Sequence, residues 1–170
     1  MQNSKNKHFA GFLSHTSICL ATWFGTGFIP RAPGTWGTLF SLPFAWMMHS
    51  YLEWQFFLLA TIFIFFVGIW ASNCCANLFG GDDPGSIVID EVAGMWMTLV
   101  PVSFLVPYDP QIITYFIAFI LFRLVDIFKP WPVSSIDKHI KGGIGIMLDD
   151  MVASIYATIC LLTFLLFQGY

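Results

Sequence analysis

Between two stretches of almost unbroken apolar sequence lies Arg123 to Asp150, RLVDIFKPWPVSSIDKHIKGGIGIMLDD. It holds four of the seven Lys and Arg residues and four of the ten Asp and Glu residues. Charges bracketed by membrane-grade segments restrict the fold sharply. An Asp, Lys or Arg at a bilayer centre costs roughly 2.5–3.5 kcal/mol on insertion scales, so Arg123, Asp126 and Lys129 together at that depth would cost roughly 8–10 kcal/mol. They therefore belong at a helix end, near the headgroups, with partners. Such a stretch is either a solvated cytoplasmic loop that only fixes topology or a polar active site at the membrane surface. The second reading is favoured.

Composition points the same way. Of the 170 residues, 57% are hydrophobic and only 10% are charged, with a mean hydropathy of +0.75. Soluble domains carry about 25% charged residues. The chain therefore reads as an integral membrane protein of one domain. Its formal net charge of −3 sums a one-sided distribution and decides little. With no basic tract, nucleic acid is not an expected partner. Cys19, Cys74, Cys75 and Cys160 lie in apolar stretches without zinc-type spacing, which reads as four buried thiols rather than disulfides or metal ligands. Lys5 and Lys7 precede an apolar stretch, but Trp23 to Pro33 is unlike a signal-peptide cleavage site.

Residues 1–8 are polar and expected to be disordered, which leaves 9–170 as a single membrane-embedded domain. Phe9 to Phe28 is interrupted by Ser14, His15, Thr16 and Ser17. It reads as an amphipathic helix on the membrane surface or packed in the bundle. In Gly25 to Thr38, proline and glycine argue against regular helix through most of the segment. Such backbone at membrane depth must be buried in protein or line a polar cavity. Its N–H groups would suit an anion at the following helix start; an ordinary connector with a Thr cap reads equally well. Five apolar segments follow: Thr38–Tyr51, Trp54–Asn77, Glu91–Val106, Gln111–Ile127 and Ile146–Phe167. The expected fold is all-α, a polytopic membrane bundle of about five spanning or embedded helices. Threaded from a cytoplasmic N-terminus, these segments place every Lys and Arg inside and only Glu53 and Asp109 outside, which is the positive-inside pattern.

That threading gathers three acidic clusters on the cytoplasmic face. Asp90 and Glu91 open the third segment, Arg123, Asp126 and Lys129 close the fourth, and Asp149 and Asp150 fall in the first turn of the fifth. Arg123, Asp126 and Pro130 follow an i, i+3, i+7 rhythm and so share a helix face. Carboxylates at helix N-termini can serve as dipole-favoured caps. Five at one end exceed that need and repel unless paired, protonated or metal-bound. A hard divalent cation, with Mg²⁺ the first choice, would settle the excess charge and takes carboxylates, water and phosphate as ligands. Asp90, Glu91, Asp126, Asp149 and Asp150 are thus the candidate metal ligands and catalytic carboxylates, with Arg123 and Lys129 as their internal counterions.

Several chemistries lack their motifs. There is no Cys-x5-Arg phosphate loop and no GxSxG nucleophile. His8, His15, His49 and His139 are scattered, with His139 a surface residue. Gly94-Met-Trp-Met97 reads as core packing.

Four motifs in order, PRAPGTWGTLFSLP, SIVIDEVAGMW, FRLVDIFKPWP and GGIGIMLDDMVAS, resemble the bacterial phosphatidylglycerophosphatase A family over about Phe24 to Tyr156. The resemblance implies Mg²⁺-dependent hydrolysis of phosphatidylglycerophosphate to phosphatidylglycerol and phosphate, in the inner membrane, with the active site facing the cytoplasm. It places the acidic and basic positions on the residues already gathered and implies Arg123, Lys129 and Thr35 as the phosphate-binding set, with Ser86 in the motifs. Family members often carry His-Asp before SIVIDE; this chain has Asp82-Asp83 there. Attack by cation-activated water is favoured over an aspartyl-phosphate intermediate. A small transporter or channel, or a non-catalytic membrane partner, are the alternatives. The oligomeric state is not legible.

Overall fold

The computed structural model describes residues 13–79 and 84–168. The expectations for residues 1–8 and for Asp82-Asp83 fall outside them. Among the described residues all regular structure is helical. The elements are α1 (residues 13–21), a 3-10 turn (Thr26–Phe28), α2 (Pro33–Tyr51), α3 (Trp54–Phe79), α4 (Ile89–Leu105), α5 (Ile112–Phe128), α6 (Val133–His139) and α7 (Gly142–Gln168).

α4 is the axis of the bundle. It packs against α2, α3, α5 and α7, and eleven of its seventeen residues are buried. Gly94 makes close approach to α5 and α7 possible: a Cβ there would meet the Phe122 ring at 2.7 Å and the Asp150 carbonyl oxygen at 3.0 Å. The small residue thus fixes how near the start of α7 comes to the start of α4. Met95 and Trp96 are core residues, as their pattern suggested.

The outer surface is that of a membrane protein. Phe56, Leu59, Phe63, Phe66 and Trp70 recur at helical spacing along α3 and are all exposed. α3 and α7 are long and apolar enough to cross a bilayer, and only 28% and 33% of their most apolar stretches are buried within the protein. A soluble core helix would be mostly covered, so lipid is the natural cover here. α4 and α5, at 17 residues each, are about 25 Å long.

Three sequence expectations change. Helix α2 begins at Pro33, not Thr38, because proline suits the first helical turn. Helix α7 begins at Gly142, with the Asn73 side chain accepting from the Gly143 N–H at 2.7 Å; Asp149 and Asp150 therefore sit about two turns inside it rather than in its first turn. Helix α5 stops at Phe128, with Lys129 in the left-handed region (φ 42°), so Pro130 leaves the face shared by Arg123 and Asp126. The thiols differ as well: all four are free, but only Cys75 is buried, while Cys19 and Cys160 are exposed. α1 and its turn pack into the bundle, with Trp23 buried against Phe44 and Trp96.

Candidate active site

The starts of α2, α4 and α7 and the end of α5 meet at one end of the bundle. There they enclose a polar cavity of about 180 Å³, lined by residues including Asp90, Glu91, Asp126, Lys129, Asp149 and Asp150. The opposite end is tied together instead. His49 Nε2 donates to the Val106 carbonyl (2.6 Å), and its Nδ1 accepts from the Tyr115 hydroxyl (3.1 Å).

The five carboxylates divide into two kinds. Asp126 accepts from Arg123 Nη1 at 2.6 Å, and Arg123 Nη1 also reaches Glu91 Oε1 and Thr38 Oγ1, each at 3.4 Å. Asp149 accepts from Lys129 Nζ at 2.7 Å. These pairs are buried or half-buried, so the ions hold one another in place of water. Asp90, Glu91 and Asp150 form the second kind. One carboxylate oxygen from each lies within 4.8 Å of the other two. Among the described residues, Asp90 Oδ1, Glu91 Oε2 and Asp150 Oδ2 are also buried without a hydrogen-bond partner. Buried polar atoms are rarely left so. Three converging hard oxygen donors with unmet capacity fit a divalent cation of the Mg²⁺ type.

Gly34 lets this arrangement close. A Cβ at that position would overlap Glu91 Oε1 and come within 3.1 Å of Arg123 Nη2. The glycines of PRAPGTWGT thus serve close packing at the start of α2, while Thr35 is not among the cavity-lining residues. Arg123 likewise stands behind the wall, holding Glu91 and Asp126, whereas Lys129 lines it.

Lys129 has a second partner that the sequence did not single out. Asp137, on α6, accepts from its Nζ at 2.6 Å. Burial opposes the charge on Lys129, but the bonds to Asp137 and Asp149 outweigh it and hold its pKa above the ordinary lysine range. Asp137 and Lys141 both line the cavity. Each lies inside the charged stretch from Arg123 to Asp150, but only the folding of α6 over the cavity singles them out. His139 is exposed, as expected.

With this geometry in view, the relatives can be placed. Residues 19–165 match the family model described as "PgpA: Phosphatidylglycerophosphatase A". The chain belongs to the phosphatidylglycerophosphatase A family. It is 40% identical over 136 residues to phosphatidylglycerophosphatase A of Escherichia coli (strain K12), covering 80% of this chain and 76% of the relative. To the protein of that name from Haemophilus influenzae it is 38% identical over 142 residues, 82% of this chain and 83% of the relative. A Bacteroides thetaiotaomicron protein with the provisional name of a phosphatidylinositol-3-phosphatase is 38% identical over 157 residues, 86% of this chain and 91% of the relative. No solved structure matches significantly. Family membership makes the chain an enzyme, a phosphatase, which sets aside the transporter and non-catalytic readings.

Proposed function

We propose that this phosphatase removes the terminal phosphate of phosphatidylglycerophosphate, giving phosphatidylglycerol and inorganic phosphate, with Mg²⁺ held by Asp90, Glu91 and Asp150. The observation that carries the reading is the trio of orphaned carboxylate oxygens beside Lys129 at the polar end of a lipid-covered bundle. The relatives' names supply the substrate.

The protein's own groups take the following parts. Lys129 Nζ, a compact cation on the cavity wall, exchanges part of its bonding to Asp137 and Asp149 for the incoming phosphoryl oxygens. Arg123 keeps Glu91 and Asp126 oriented. A cavity carboxylate accepts the proton of the attacking water as its oxygen bonds to phosphorus. The bond from phosphorus to the glycerol oxygen breaks, and that oxygen leaves as the alcohol once protonated. When bound, the divalent cation supplies Lewis-acid stabilisation of the negative charge on the phosphoryl group. The reading puts the enzyme in the bacterial inner membrane as a multi-pass protein with this cavity facing the cytoplasm; the gathering of Arg31, Arg123, Lys129, Lys138 and Lys141 in loops or helix ends of the cavity side supports it.

Phosphate release from detergent-solubilised protein is the test. Turnover of phosphatidylglycerophosphate should exceed that of phosphatidylinositol 3-phosphate, stop in EDTA and return with Mg²⁺. Preference for the phosphoinositide overturns the substrate; activity untouched by EDTA overturns the metal.

A further inference from the structure

A second cavity, about 570 Å³, opens between α2 and α5 and is lined by Leu39, Phe40, Leu42, Pro43, Trp46, Ile112, Tyr115, Phe116 and Phe119. We infer that this groove is the binding slot for an acyl chain of the lipid substrate whose phosphate sits in the polar cavity. The inference rests on the substrate reading given above and adds where the rest of that molecule lies.

Position carries the argument. On α5, Ile112, Phe116 and Phe119 are followed at i+4 by Arg123 and then by Asp126, so one helix face runs from the groove to the polar cavity. On α2, Leu39 directly follows Thr38, and Gly34 lies one turn before that. The two helices are joined where the groove ends, through the Arg123–Thr38 hydrogen bond at 3.4 Å. Phe119 to Asp126 spans about 10 Å along the helix, so a phosphate at the cavity leaves its chains at the groove's near end. The lining changes there from charged to hydrocarbon and aromatic, as an amphiphile requires.

Size and exposure agree. The volume is within the roughly 300–1,000 Å³ of small-molecule sites, whereas the polar cavity, at about 180 Å³, suits a headgroup alone. Leu39, Phe40, Ile112 and Phe116 are exposed on the bilayer-facing surface, so a lipid can enter sideways from the leaflet.

The test compares long-chain phosphatidylglycerophosphate with its deacylated phosphomonoester. Leu39→Trp and Phe116→Trp fill the groove from its exposed rim without touching the carboxylates or lysines. Each should lower kcat/KM on the long-chain lipid at least tenfold and change it less than twofold on the deacylated compound. Phe116→Ala, which widens the groove, should keep long-chain turnover. A substrate with a photoreactive group at the chain end should label α2 or α5 peptides. Equal losses on both substrates, no loss on either, or labelling confined to α3 overturns the slot and leaves only annular lipid there. If wild-type protein hydrolyses neither compound, the substrate reading falls and the slot falls with it.

Discussion

Asp150→Asn and Asp126→Asn are the same chemical change two helices apart, and the structure assigns them opposite effects on the metal-free protein. Asp150 is 2% exposed and faces Asp90 and Glu91, and among the described residues no cation is bonded to it. Two ionised carboxylates within 4.8 Å would repel by about 3.5 kcal/mol at an effective dielectric of ~20, and by less where they share a proton. Cavity water and relaxation reduce what is recovered to about 1–2 kcal/mol. At roughly 2–4 °C per kcal/mol for a chain of this size, Asp150→Asn should melt about 2–8 °C higher than wild type in EDTA. Asp126 instead holds Arg123 at 2.6 Å. Weakening that charge-assisted bond should cost about 1.5–3 kcal/mol, so Asp126→Asn should melt about 3–12 °C lower. Mg²⁺ at a hundred times its Kd stabilises the binding form by about 2.7 kcal/mol; wild type should gain this and Asp150→Asn little of it. The assay is thermal unfolding in detergent, with and without Mg²⁺, alongside phosphate release. Outer-shell losses at metal sites already cost about 10–100-fold in activity, so Asp150→Asn should lose at least that. Shifts of the same sign for both variants in EDTA, or equal Mg²⁺ stabilisation of Asp150→Asn and wild type, would refute the division of the carboxylates.

Gly34→Ala drives a methyl into Glu91 and should cost about 1–3 kcal/mol with a matching fall in turnover. Gly85→Ala, also on the cavity wall but with open space around its Cβ, is the control and should leave stability unchanged. Lys129→Gly and Lys129→Ala should both lose most activity; glycine should be the more stable by about 1 kcal/mol, since φ is 42° there, and an unfolding series that ranks alanine higher contradicts the helix end described. Single cysteines at 138 and 53 in a background free of the native thiols should label from opposite sides of intact cells, with 53 reached from outside.

The charge clusters were legible because ionisable groups in so apolar a chain have few places to go. Asp90, Glu91, Asp126, Lys129, Asp149 and Asp150 line one cavity as their spacing implied. What spacing could not give is which carboxylate meets which cation. Asp126 and Asp149 are tied to Arg123 and Lys129, Glu91 reaches Arg123 with one oxygen only, and Asp90 and Asp150 are left over, because the close approach at Gly94 sets the distance from α4 to α7. Asp137 was hidden for a related reason: it looks like any loop acid until the chain turns at Lys129 and α6 brings it back to Nζ. The start of α2 was misplaced because glycine and proline weigh against helix on propensity, yet here proline opens the helix and glycine makes room for Glu91.

The knot of His49, Tyr115 and Val106 has a consequence for traffic. With the far end of the bundle tied by hydrogen bonds, both products of the proposed reaction leave from the polar end. The inorganic ion departs into water on the side where it was cut. The uncharged alcohol end stays tethered to its tails and drifts sideways into the same leaflet. Cleavage in such a vessel changes a lipid's charge without changing which sheet of the bilayer it belongs to, so any transfer of the finished lipid to the other sheet must be the work of separate machinery.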